Sequence, residues 1–142
     1  MTITTDNSTL VREFYDAYND REFDRAAALA TDDYTFTMVP TGETMSGANG
    51  IRQYLEMWST AFPDSTVEIT NMVVSDDWVV VEFTGRGIHS GPLRTPTGDI
   101  PATGKQVELH FCDVVSVRDG KLAGGRTYFD MASMMRQLGL LD

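Results

Sequence analysis

The chain has 142 residues, 42% of them hydrophobic and 23% charged, which is enough for one domain with a real core and too apolar for disorder. Twenty-one acids against 11 bases leave a formal charge of -10, a surface that repels nucleic acid and anionic lipid, so neither is an expected partner. The lone cysteine, Cys112, excludes an intrachain disulfide and a cysteine zinc site.

The opening Met-Thr-Ile-Thr-Thr-Asp has no basic region and no apolar run, and no stretch approaches a membrane span, so a cytoplasmic protein is expected. Residues 1–6 read as a frayed arm. Asn7 or Ser8 can cap a helix running to about Asn19, with Leu10, Val11, Phe14, Tyr15 and Tyr18 on one face. A second, alanine-rich helix is predicted over Phe23 to Ala30. Tyr34 to Val39 alternates as a half-buried strand, and Glu43 to Ser46 reads as a short return strand. A third helix, capped by Asn49, runs to about Phe62, where Pro63-Asp64 stops it. Its stripe is Ile51, Tyr54, Leu55, Trp58, Ala61 and Phe62.

Strands follow at Thr66 to Val74 and Trp78 to Ile88, joined by Asp76-Asp77. His89 to Lys105, rich in proline and glycine, reads as a long loop of the kind that often carries function. The next strand, Val107 to Val117, turns back through Arg118-Asp119-Gly120-Lys121 into Leu122 to Phe129. Asp-Gly is a strong hairpin signal because Gly accepts positive φ. Asp130 then precedes a last helix, Met131 to Leu138, closed by Gly139. Gly85-Arg86-Gly87 and Gly124-Gly125, inside strand patterns, suggest bulges or sharp curvature. Three helices, mostly antiparallel strands and a final helix make an α+β domain. A curved sheet folded over the helices leaves a pocket lined by their aromatic residues.

The strand at Val107 carries the sharpest chemical signal. Side chains alternate with period two, so Val107, Leu109, Phe111, Asp113, Val115 and Val117 share a face. All are apolar except Asp113. A carboxylate there must be paired, hydrated or carry a raised pKa, and a pKa near neutrality suits a general acid/base. The bland alternative is a bulge or an exposed strand end that turns Asp113 outward. Tyr15, whose helix should cover the pocket, is the first candidate for a hydroxyl aimed at a developing oxyanion. His89, at the start of the long loop, can reach a pocket mouth, whereas His110 lies on the opposite strand face. Two histidines without an acidic cluster make no metal motif, so no metal is expected. Asp130 reads first as a helix cap. Arg126 reads as solvated or subunit-facing. No serine elbow, P-loop or dinucleotide fingerprint occurs, and no cofactor is expected.

Several pieces in chain order carry a family resemblance: Ala61-Phe62-Pro63-Asp64, Gly87-Ile88-His89-Ser90-Gly91, Ala102-Thr103-Gly104-Lys105, Arg118-Asp119-Gly120-Lys121, Tyr128-Phe129-Asp130 and Arg136-Gln137-Leu138-Gly139-Leu140. Together they resemble the SnoaL-like polyketide cyclase family, within the nuclear-transport-factor-2-like and ketosteroid-isomerase-like superfamily. The resemblance spans nearly the whole chain and implies a single domain over residues 1–142. It implies a cone of curved antiparallel sheet packed on N-terminal helices, enclosing a deep apolar pocket, in a homodimer or higher homo-oligomer.

The named cyclases close an aromatic polyketide ester by a cofactor-free aldol step, using an H-x-D pair after the Asp-Gly-Lys turn. Here the matching stretch is Gly125-Arg126-Thr127, with neither histidine nor carboxylate. Counting back from that turn, Asp113 takes the place of the cyclases' second pocket histidine. The expected chemistry is therefore acid/base catalysis on a hydrophobic, oxygenated small molecule, a cyclisation or isomerisation. Asp113, Tyr15 and His89 are its candidate catalytic residues, and Tyr34, Phe36, Trp58, Phe111 and Thr127 its candidate substrate-binding ones. Two alternatives stay open: a pocket that binds without converting, and an epoxide-hydrolase-type set of Asp113, Arg126 and Asp130. Strand parity argues against the latter. The apolar Val79, Val80 and Val81 point to a subunit contact on the outer sheet face.

Overall fold

The computed structural model describes residues 6–141. Helix α1 (Asn7–Asn19) starts one residue earlier than the capping pattern suggests, because Asp6 accepts the Ser8 N–H at 2.9 Å and its hydroxyl at 2.8 Å. The frayed arm expected over 1–6 otherwise lies outside the described residues. Helix α2 (Phe23–Ala27) is shorter than predicted. Its continuation is claimed by a strand: the Leu122 N–H donates to the Leu29 carbonyl, and β1 (Ala30–Met38) begins immediately after. Strand β2 (Glu43–Ser46) leads into α3 (Gly47–Ala61), which begins at Gly47, not after Asn49. Gly47 takes φ +68, and Asn49 instead accepts a hydrogen bond from Arg52 at 2.9 Å.

Strands β3 (Thr66–Ser75) and β4 (Trp78–Ile88) form an antiparallel pair. The segment expected to be an irregular loop contains its own small hairpin, β5 (Leu93–Thr95) with β6 (Gly98–Ile100), anchored by buried Leu93. Strands β7 (Gln106–Arg118) and β8 (Lys121–Phe129) form the long hairpin, with Asp119 and Gly120 both at positive φ in its turn. Helix α4 (Met131–Gln137) is capped by Asp130, which accepts the Ala132 and Ser133 N–H groups.

The sheet runs β2-β1-β8-β7-β4-β3, curved and unclosed. All pairs are antiparallel except β1 with β8. Inward residues of β7 and β4 meet the apolar faces of α1 and α3, where Leu10, Val11, Ile51 and Leu55 are buried. The alternation read in β7 holds throughout: Val107, Leu109, Phe111, Asp113, Val115 and Val117 are buried, and Glu108 and His110 are exposed. Gly85 and Gly87 sit in regular register, so no bulge occurs there. Gly125 has a different reason: a Cβ would stand 2.5 Å from the Val114 carbonyl oxygen on the paired strand. Gly125→Ala should therefore lower stability by roughly 2–3 kcal/mol through overpacking, read as a fall in the urea midpoint at unchanged slope.

Candidate active site

Between the sheet and helices α1 and α3 lies an apolar cavity with about 630 Å³ of free space, counted out into its open mouth. Its floor is the inward row of β7, Val107, Leu109, Phe111 and Asp113, and its roof includes Tyr15, Tyr18 and Trp58. The Phe83 and Phe111 rings stack at 4.8 Å, and Trp58 meets Phe111 edge-on at 5.6 Å. These contacts fix the aromatic wall in one arrangement.

Asp113 is 5% exposed and Tyr15 is likewise buried. The Tyr15 hydroxyl donates to Asp113 Oδ2 at 2.6 Å, joining α1 to β7. Asp113 Oδ1 is buried with no partner among the described residues. Burial pushes the carboxyl up to about 6 from its ordinary 3.8, against the lowering pull of Thr127 and Tyr15. Thr127 is the cross-strand neighbour of Asp113, fully buried, close enough to exert that pull yet without a hydrogen bond of normal geometry. Burial, and then the Asp113 charge, raise Tyr15 well above the tyrosine range, so it stays a donor.

The expected site residues divide. Asp113, Tyr15, Trp58 and Phe111 line the cavity together. Tyr34 and Phe36 line a smaller void that also reaches Asp113 and Tyr15. Thr127 backs Asp113 from β8 without lining the cavity. His89 stands apart. It is fully buried against Phe62, and its Nδ1 accepts the Thr103 N–H at 3.2 Å and lies 2.9 Å from the Thr103 hydroxyl. There it ties the end of the 90–105 segment back to its start, and burial lowers its pKa. Arg126 bonds Tyr128 on the exposed face and Asp130 caps α4, so the carboxylate–arginine–carboxylate set does not assemble. Ser65, unmarked in the sequence, lines the cavity with its hydroxyl on that of Tyr18. No spacing pattern marks such a serine, although Tyr18 follows Tyr15 by one helical turn.

Comparison with known proteins agrees with this architecture. The profile of the SnoaL-like polyketide cyclases matches residues 8–138. This chain belongs to that family. Among solved structures, TsrD from Streptomyces laurentii is 25% identical with a TM-score of 0.82, over 95% of this chain and 96% of that one. A protein assigned to the SnoaL-like polyketide cyclases from Jannaschia sp. CCS1 is 20% identical with a TM-score of 0.84, over 100% and 97% of the two chains. A ketosteroid-isomerase-like protein from Catenulispora acidiphila, in complex with trimethylamine, is 19% identical with a TM-score of 0.77, over 97% and 95%. A search of curated proteins found no match.

Within this SnoaL-like fold the Asp113 carboxyl links stability to pH. Its folded pKa, about 6, stands above the ordinary 3.8, so the native state keeps a proton that the unfolded chain releases. The stability this confers is whole below pH 3.8, falls as the pH climbs to about 6, and is gone above it. The ionised carboxylate at pH 8 thus costs the fold about 3 kcal/mol. Asp113→Asn should be more stable than the parent at pH 8 by up to that amount and show a flatter stability–pH curve between pH 4 and 6. Urea denaturation from pH 4 to pH 8 measures both.

Proposed function

We propose that this protein is a cofactor-independent acid/base catalyst that cyclises or isomerises a hydrophobic, oxygenated small molecule, with Asp113 as the proton-transfer residue. The observation that carries the reading is the Asp113 carboxyl on the floor of an apolar cavity, one oxygen held by Tyr15 and the other unpartnered. A pKa near 6 suits it to take a proton at neutral pH and return it.

The step is a proton abstraction next to a carbonyl. Asp113 Oδ1 takes the α-hydrogen, and the C–H electron pair moves into the enolate. The Trp58 indole N–H, buried near the Tyr54 hydroxyl but without a hydrogen bond of normal geometry, is a donor at hand for the enolate oxygen. The enolate carbon then attacks a second carbonyl and closes a ring, or the proton returns at another carbon. In the ring closure Asp113 hands its proton to the new alkoxide. Tyr15 acts as a positioning residue, because its hydrogen bond occupies Oδ2 and leaves Oδ1 for the substrate.

A second reading, a module that holds an apolar ligand unchanged, is favoured by Gly125-Arg126-Thr127, which offers no histidine or carboxylate. Exposed Val73, Val74 and Trp78 support a homodimer or higher homo-oligomer. Among the described residues no helix is long and apolar enough to cross a membrane.

Deuterium uptake by an enolisable bicyclic ketone such as 2-tetralone, followed by mass spectrometry in D₂O buffer, tests the catalytic reading. The wild-type rate should rise with pH through about 6 as Asp113 ionises. Asp113→Asn should reduce it by on the order of 10²–10⁴-fold. An unchanged rate in that variant removes Asp113 from the mechanism and leaves the binding reading. Light scattering should give a multiple of the 15.8 kDa chain mass, and a strict monomer at micromolar concentration removes the oligomer.

A further inference from the structure

Asp113 and Tyr15 occupy one end of the cavity. The other end holds a polar pair that the proposed reaction does not touch. The Tyr18 hydroxyl and Ser65 Oγ lie 2.6 Å apart, and both residues are buried in the cavity wall. Two hydroxyls carry two protons, and their mutual hydrogen bond uses one. Whichever oxygen donates, one O–H keeps its proton without an acceptor among the described residues.

Arg21 holds this pair from behind. Its guanidinium donates to the Ser65 carbonyl at 2.6 Å, the Tyr18 carbonyl at 2.8 Å and the Pro63 carbonyl at 2.9 Å. It also reaches Ser65 Oγ at 3.5 Å and lies 4.7 Å from the centre of the Tyr18 ring. A cation beside a hydroxyl draws on its lone pairs and strengthens it as a donor. Burial raises the Tyr18 pKa more than Ser65 and Arg21 lower it, so the phenol stays protonated.

The two ends are complementary. Along β7 the floor runs from Asp113 to Val107, and Gly87, paired with Val107, packs so tightly on Ser65 that a Cβ there would stand 2.9 Å from the serine Cβ. That length of strand puts the ends on the order of 10–20 Å apart. Apolar and aromatic side chains fill the wall between them. One end offers a bare carboxylate oxygen, which takes a proton. The other offers a bare O–H, which takes an acceptor.

We infer that the Tyr18–Ser65 pair is a carbonyl-oxygen subsite, and that a ligand spanning the cavity sets a carbonyl oxygen there while presenting another group to Asp113. The inference deepens the acid/base reading and rests on it for the role of Asp113 alone. A ligand held at both ends enters in one orientation. If its ring system is conjugated, the electron pair released at the Asp113 end reaches the far oxygen, where the free O–H and the Arg21 charge meet it.

Fluorenone is a fused-ring ketone with no α-hydrogen, so it reports on the subsite without reacting. Its binding is measured by calorimetry on the full chain, and its ¹³C-labelled carbonyl stretch by infrared spectroscopy. Fluorene, which lacks the oxygen, is the control. The bound stretch should lie below its value in cyclohexane. Tyr18→Phe/Ser65→Ala, which removes both hydroxyls, should weaken fluorenone about tenfold, the worth of one good hydrogen bond, and return the stretch towards cyclohexane. Fluorene affinity should not change. Equal fluorenone affinity in the double variant, an equal loss for fluorene, or no fluorenone binding to the wild type overturns the subsite. The deuterium-uptake result for Asp113→Asn leaves this outcome untouched, so the two readings fail separately.

Discussion

The hydrogen bond from Tyr15 to Asp113 joins the first helix to the middle of the sheet, and the cavity is organised about it. A carboxyl in an apolar interior has few tolerable states: neutral, paired or wet. Here burial drives it towards the neutral form while Thr127 and the Tyr15 phenol pull the other way. The balance places the proton equilibrium within reach of physiological pH. The same bond selects which carboxyl oxygen stays free. The cost of Asp113 to the fold and its proton equilibrium are therefore one property of one residue.

The rest of the wall makes that arrangement usable. Phe83, Phe111 and Trp58 lock one another in stacked and edge-on contacts, so the space above Asp113 keeps its shape when empty. The preorganised void lowers the ordering cost of binding. Arg21, with φ 59 just past the end of the first helix, uses its strained backbone to turn a guanidinium back under Ser65 and Tyr18. Such strain persists where surrounding bonds fix it, and three carbonyl contacts do so here.

Much of this was legible in the sequence because strands broadcast their facing. The period of two around Asp113 read correctly over the whole length of β7, and the Asp119-Gly120 turn fixed its partner strand. Asp130 as a helix cap followed from its place between the last strand and the last helix, and Arg126 as an outward residue from the same parity. Errors gathered where tertiary pairing overrides local preference. Ala28 to Ala30 favour helix by composition, yet pairing with β8 begins at Ala30. The 90–105 segment looked structureless because its small hairpin has strands too short to show a period. His89 sat in a family motif and near a pocket in sequence terms, but its side chain serves the backbone of Thr103. Ser65 was invisible because a serine after a helix stop is the commonest of residues. Its meaning comes from Tyr18 and Arg21, far away along the chain.

Strand β7 pairs with β4 over Gln106–Ser116 and with β8 over Phe111–Arg118, so its stretch around Asp113 is held on both flanks. Its backbone is thus held independently of what its side chains do, and every second residue from Val107 to Asp113 is an address in the cavity. Moving a functional group by two positions shifts it by about 7 Å along the floor and leaves every ladder bond in place. A scaffold built this way can change its reaction by rewriting single letters in a fixed row. Asp113, the one charged side chain in that inward row, is such a letter.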